Sequence, residues 1–461
     1  MKITLINPYE LGRQPFGLAE PTAWLRDSGH DVSCLDLSLQ SLEPDMLARS
    51  NLIGIYVAMH TATRIALEAL PKIKEIAPDA YLCVFGLYAP MNEGLFRSLG
   101  VETILGGEYE TGLLSLTNRL KNGKHLTQIE PIINLSKIKF IRPDRSSLPP
   151  LSKYAKLINI DGTEKVMGFA EATRGCKHLC RHCPVVPVYE GKFRIVPLEI
   201  VMEDIRQQVK MGAQHISFGD PDFFNGPTHA KRIVTALNHE IPNLTYDCTI
   251  KVQHILANRE LLLLLQNTGC SFVTSAIESV DDQILEILAK NHTNEDFAKI
   301  VYLMNDMGIA LAPTFVAFNP WITLEGYTDL LQRLVDLKLV ESVPPIQLAI
   351  RLLIPEGSYL LQLPGFNQLI EEYDRSILGY PWKHRDPRVD ELQNKIQSLV
   401  EESEEQGTER RRVFEAVWAL AYEALGEDIP SLPTDLGRPI PHHSEPWYCC
   451  AEPTNKQLQS F

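Results

Sequence analysis

What this chain lacks narrows what it can be. No apolar stretch is long enough for a membrane: the densest run, Leu261–Leu265, falls far short of the roughly 20 residues a spanning helix needs. There is no basic excess. Asp and Glu outnumber Lys and Arg 58 to 44, for a formal net charge of −14, which argues against a protein that draws its affinity from phosphate contacts. A small-molecule or protein substrate fits this charge better, the small molecule being the expectation, with neither nucleic acid nor membrane as partner. The opening "MKITLINPYE" lacks the apolar core and small-residue cleavage site of a signal peptide and reads as a short buried strand, so a cytoplasmic protein is expected. Cysteine is sparse as well. Nine in 461 residues make no disulfide scaffold, and in a reducing compartment close cysteine clusters are more often metal or redox sites. Cys34, Cys83, Cys248 and Cys270 sit in apolar or strand-like surroundings and are expected to be small core residues.

What is present is an ordinary globular composition, 44% apolar and 22% charged, in a chain long enough for two or three domains. The pattern is α/β. Residues 1–125 alternate short apolar strands ("KITLINP", "DVSCLDL", "LIGIYVA", "AYLCVFG", "ETILGGE") with amphipathic segments, which predicts a Rossmann-like, doubly wound parallel sheet whose ligand lies beyond the carboxyl strand ends. Prolines, serines and basic residues over 126–165 predict a linker. Alternation resumes over 166–355, with strands near 166–171, 215–219, 244–251, 271–278, 309–318 and 345–353. Six βα units predict a partial (β/α)6 barrel with its chemistry at the C-terminal mouth. Residues 356–461 read as a helical region followed by a Pro-rich, extended tail.

After the first barrel strand comes "EATRGCKHLCRHCP", in which Cys176, Cys180 and Cys183 are spaced CxxxCxxC. Three thiolates on one short loop can hold three irons of a [4Fe–4S] cluster and leave the fourth open. Structural zinc usually takes four closed ligands, commonly two separated CxxC pairs, and no second such pair follows.

This spacing, at the end of the first strand of a six-unit βα pattern, resembles the radical S-adenosylmethionine (SAM) superfamily. The resemblance implies that SAM chelates the open iron, that its reductive cleavage yields a 5′-deoxyadenosyl radical, and that a flavodoxin or ferredoxin supplies the electron. It also implies site residues. "HISFGDPDFF" matches the second-strand motif that holds the SAM amino group, placing Gly219, Asp220 and Asp222 at the mouth, and "FVTSAIES" resembles the fourth-strand element, with Glu278 and Ser279 near the SAM polar groups. The plain alternative is that these carboxylates cap the following helices, as is expected of Asp281. His182 stands where the family usually has an aromatic residue beside the adenine. Arg351, in an apolar strand, needs a SAM carboxylate or a structural acid as partner. Trp321 is either a cavity wall or a packed indole, and Lys251 and His254 are placed near the same mouth.

The first domain looks like the cobalamin-binding domain that precedes many radical SAM barrels. It has no Asp-x-His-x-x-Gly segment to supply an axial histidine, but relatives bind cobalamin without one, so that cofactor stays open at this point. His60 in "AMHTAT" is a conceivable contact.

The tail reads "HHSEPWYCCAEPTNKQ". Adjacent cysteines such as Cys449 and Cys450 do not bridge without strain, and thiol pairs favour soft metals, redox equivalents or electrophiles. A frayed terminus with two incidental thiols is the plain alternative. "YCCAEP" with the barrel motifs resembles the CUAEP/CCAEP-tail radical SAM proteins. The expectation is that the tail folds back over the barrel mouth, where Cys449 and Cys450 bind a thiophilic substrate such as trivalent arsenic or supply a thiol. His442 and His443 are close enough in sequence to join a metal site. Two other functions are carried forward: a cobalamin-dependent radical SAM methyltransferase, and a soft-metal or redox sensor, against which the intact three-cysteine loop argues.

Overall fold

The computed structural model describes residues 1–123, 128–445, 452 and 455–458. Among these, β1 (Lys2–Asn7), β2 (Asp31–Asp36), β3 (Leu52–Tyr56), β4 (Tyr81–Phe85), β5 (Thr103–Gly107) and β6 (Ile133–Asn134) form a parallel sheet in the order β2-β1-β3-β4-β5-β6. Successive side chains feed two separate cores. Ile6, Ile53 and Ile55 pack on one face, whereas Ile3, Leu5 and Leu52 pack on the other, which is why these strands are nearly continuous apolar runs. Strand order reverses between β1 and β3. The carboxyl ends of those two strands therefore flank the crevice where doubly wound sheets bind ligands.

The second sheet contains β7 (Lys156–Ile158), β8 (Glu164–Ala170), β11 (His215–Phe218), β12 (Thr245–Thr249), β13 (Cys270–Glu278), β14 (Ala310–Phe315) and β15 (His442–His443), in the order β14-β13-β12-β11-β8-β7-β15. Between β8 and β11, β9 (Thr173–Gly175) and β10 (Phe193–Ile195) form a small antiparallel pair around the cysteine loop. Strands β8 and β11 to β14 run parallel as a partial barrel. The stretch at 345–353 gives a 3₁₀ turn, Pro345–Leu348, and a single bridge between Phe318 and Arg351. Pro344 and Pro345 remove two ladder donors, which cuts the sixth strand to that one bridge.

Within the stretch expected to be a linker, β6 extends the first sheet and β7 the second. Near the C-terminus, two helices, Pro387–Gln406 and Arg410–Leu425, pack on the barrel. Asp386 caps the first by accepting from Arg388 N, and Gly407 ends it at φ 64°, a left-handed conformation suited to glycine. The chain then returns to the barrel, where β15 pairs antiparallel with β7, His443 opposite Leu157. No helix among the described residues is long and apolar enough to cross a membrane.

Candidate active site

The cysteine loop leaves the carboxyl end of β8 and is pinned from several sides. Asn225 accepts from Lys177 N at 3.3 Å and donates to the Gly175 carbonyl at 3.4 Å, and Cys183 N donates to the Cys180 carbonyl at 3.1 Å. Cys176 and Cys180 are buried and Cys183 nearly so, and none is in a disulfide. Burial and the neighbouring Cys180 push the Cys183 thiol up to about 12. Such a group is a thiolate at neutral pH only when a cation compensates it, which is the donor set an iron–sulfur cluster satisfies. Part of that compensation is built in. Lys251 Nζ, itself buried, donates to Cys180 Sγ at 3.2 Å, and Lys290 is close enough for Cys180 and Cys183 to raise its pKa, after Glu278.

Glu278 closes β13 in a left-handed conformation, φ 72°. His182 Nε2 and Lys290 Nζ both donate to its Oε1, at 3.1 and 3.2 Å. Against the upward push of burial, Lys290 first and His182 next hold its carboxyl well below the usual range. His182 and Glu278 are thus brought together beside the thiols. Ser279 Oγ instead accepts from Asp281 N and shapes the turn, while Asp281 caps the helix Asp282–Ile287.

The β11 turn separates its two carboxylates. Asp220 is turned back to the end of β8, accepting from Ala172 N at 2.9 Å and Thr173 Oγ1 at 2.5 Å, and burial pushes it up to about 7. Asp222 accepts from Phe224 N and lies 2.6 Å from His254 Nδ1 and 3.3 Å from His178 Nε2. Burial raises its pKa, but the two histidines outweigh that and bring it down to about 2. Gly219 has a packing reason of its own: a Cβ there would stand 2.0 Å from the Phe169 ring.

Three further residues singled out in the sequence have partners elsewhere in the structure. Arg351 is committed to structural partners, with Nη1 2.7 Å from Asp390 Oδ1, Nη2 on the Trp382 carbonyl, and the guanidinium 3.5 Å above the Trp382 ring; it is not available to a SAM carboxylate. Trp321 stacks near Phe366 at 5.9 Å as a packed indole. His60 is buried and donates to Glu452 Oε1 at 2.7 Å. Cys449 and Cys450 lie outside the described residues.

Sequence reasoning missed Lys290, Asn225 and Arg174. Arg174, two residues before Cys176, joins the two sheets: Nη1 lies 2.6 Å from Glu110 and 3.2 Å from Glu108, and Nε 2.9 Å from Glu171, with Glu20 also in contact. The carboxyl end of β5 is therefore fastened to the strand that carries the cysteine loop. The available signals were an isolated arginine beside the first cysteine and a lysine ending an otherwise apolar helical pattern, "ILEILAK".

Residues 171–320 match the family model of the Radical SAM superfamily, a segment that takes in the three cysteines, Asp220, Asp222 and Glu278. The hopanoid C-3 methylase of Methylococcus capsulatus is 24% identical over 355 residues, 70% of this chain and 65% of that protein, so the match spans just under two thirds of this relative. Among solved structures, the cobalamin-dependent SAM radical enzyme OxsB with aqua-cobalamin bound superposes with a TM-score of 0.65 at 15% identity, over 91% of this chain and 73% of OxsB. TsrM from Kitasatospora setae, a radical SAM methyltransferase solved with cobalamin and a [4Fe–4S] cluster, does so with a TM-score of 0.58 at 18% identity, over 74% of this chain and 72% of TsrM. These superpositions show a shared two-sheet fold. The family match falls on the pinned three-thiol loop and the mouth residues around it, so residues 171–320 form a radical SAM segment, and the chain is an enzyme that uses a [4Fe–4S] cluster and SAM.

Proposed function

We propose that this enzyme is a cobalamin-dependent radical SAM methyltransferase acting on a small molecule. The observation that carries this reading is the way the carboxyl end of the first sheet faces the cysteine-bearing strand, with Arg174 of the barrel between Glu108 and Glu110 that follow β5. The residues at this junction suit a corrin. Glu10 Oε2, Glu108 Oε1 and Glu110 Oε2 are buried without a hydrogen-bond partner, and the carboxamides around a corrin ring are donors such acceptors can take up. An axial histidine from this domain is not part of the reading, since His60 is engaged with Glu452. The similarity to a methylase and to cobalamin-bearing structures supports the same reading.

When bound, the cluster and SAM supply one-electron cleavage of a sulfonium bond, and cobalamin supplies a methyl carrier. The chain's own residues would hold these groups: Cys176, Cys180 and Cys183 the cluster, Lys251 and Lys290 part of the compensating charge, and Glu278, oriented by His182 and Lys290, the SAM amino group. An acidic one-electron protein such as flavodoxin or ferredoxin would be the donor, and a reducing cytoplasm the setting. The test is reconstitution with hydroxocobalamin followed by gel filtration and assay for S-adenosylhomocysteine. Stoichiometric retention of the corrin is expected; protein that emerges free of it would end this reading.

A second reading concerns the substrate and rests on the tail's anchors. Tyr9, after β1, donates to Glu445 at 2.9 Å, and Glu452 lies 2.7 Å from both His60 and Arg64, after β3. Glu445 and Glu452, which flank Cys449 and Cys450 in sequence, are thus anchored to the two sides of the switch-point crevice. This supports membership of the CCAEP-tail group and a thiophilic substrate, such as one containing trivalent arsenic, handled by the two thiols. Turnover of such a substrate by Cys449→Ser and Cys450→Ser variants at the wild-type rate would refute it.

A further inference from the structure

The cysteine loop is not the only place where metal-binding side chains meet. In the lower half of the barrel, three strands distant in sequence each contribute one: His215 opens β11, Asp247 is central in β12, and His443 ends β15. Asp247 Oδ2 lies 2.8 Å from His215 Nε2 and 2.8 Å from His443 Nε2, and all three ligand atoms fall within 4.8 Å of one another. His215 and Asp247 are buried, and the His443 side chain is 19% exposed. We propose that His215, Asp247 and His443 form a binding site for a divalent transition metal of the zinc class, separate from the iron–sulfur loop.

The donor set favours that class of ion. Two imidazole nitrogens and one carboxylate oxygen suit a borderline cation and not magnesium or calcium, which call for all-oxygen shells. The surrounding residues hold the ligands in place as outer-shell partners of metal sites do. His215 Nδ1 is 2.9 Å from Thr245 Oγ1, a hydroxyl that also accepts from Lys165 Nζ at 3.1 Å. Ser217 Oγ donates to the other Asp247 oxygen at 3.2 Å, and Phe272 sets its edge against the His443 ring with centroids 5.4 Å apart. Three ligands leave a coordination position for water or a small anion. The site is complete only while β15 is paired with β7, so the ion would fasten the chain just before the tail to the barrel. His442, its sequence neighbour, is not part of it; its ring faces the Ile440 carbonyl.

The experiment uses the full-length, cluster-loaded protein, equilibrated with micromolar Zn²⁺, desalted, and analysed for zinc and iron together. About one zinc per chain is expected, with an X-ray absorption edge showing nitrogen and oxygen ligands and imidazole scattering. His443→Gln and Asp247→Asn should each weaken zinc binding at least about tenfold with iron content unchanged. Wild-type protein without zinc, zinc with sulfur ligands, or zinc held equally well by His443→Gln would each overturn the proposal. Should a variant lose its iron as well, the ligand set read from the wild-type absorption spectrum decides.

Discussion

Lys251 Nζ donates to Cys180 Sγ at 3.2 Å, and both residues are buried. A fixed positive charge against a cluster ligand favours the more negative, reduced state. Lys251→Met should therefore lower the cluster's midpoint potential, by on the order of 100 mV at the effective dielectric of a protein interior, while iron content is retained. Lys251→Arg should fall between the two. An EPR-monitored redox titration in which Lys251→Met matches wild type would show that this lysine has no electrostatic hold on the cluster.

Arg174 faces Glu20, Glu108, Glu110 and Glu171 across the junction of the two sheets. Removing one partner of a buried pair leaves the other charge uncompensated, at a cost of roughly 3–5 kcal/mol. Arg174→Met should lose stability of that order in denaturant unfolding. Glu110→Gln should lose much less, because burial already favours the neutral form of that carboxyl. Equal losses in the two variants would contradict this assignment of charge.

Burial raises the carboxyls of Glu10 and Glu108 from 4.5 to about 8 and about 7. A carboxyl that holds its proton more tightly in the folded state makes the fold less stable as pH rises from the unfolded pKa to the folded one. Asp222 acts in the opposite sense: its pKa falls from 3.8 to about 2, so its contribution is present above about pH 4 and disappears as pH drops toward 2. Stability should peak at mildly acidic pH and decline toward pH 8, with Glu10→Gln flattening part of that decline. Denaturation midpoints measured across this range check it; an unchanged slope in Glu10→Gln would mean that Glu10 is already ionised in the fold.

The hydrogen bonds from Tyr9 to Glu445 and from His60 to Glu452 tie the tail to the first sheet. A Tyr9→Phe, Glu452→Gln double variant should exchange amide hydrogens faster in the helix Asn455–Leu458, which sits against the helix His60–Ile76. Unaltered exchange there would show that these contacts do not hold the tail.

Much of this architecture is written in local pattern. The strands of the first sheet are apolar on both faces, so "LIGIYVA" and "AYLCVFG" announce themselves, and CxxxCxxC marks its loop without help from neighbours. Long-range pairing left weaker marks. Arg351 is a lone charge in an apolar run, but nothing in that run reveals that Asp390 and Trp382, more than 30 residues on, receive it. Lys290 and Asn225 reach the site through turns whose direction depends on tertiary packing, and β6 and β7 form because partner strands are already in place. The lost sixth strand was legible in principle, since Pro344 and Pro345 stand at its start.

The central claim, that Cys176, Cys180 and Cys183 hold a [4Fe–4S] cluster with an iron open to SAM, is tested most directly by EPR of the anaerobically reconstituted, reduced protein with and without SAM. A [4Fe–4S]⁺ signal that shifts when SAM is added, and that disappears in Cys180→Ala, is the expected result. A signal that survives Cys180→Ala, or protein that forms no cluster at all, would contradict it.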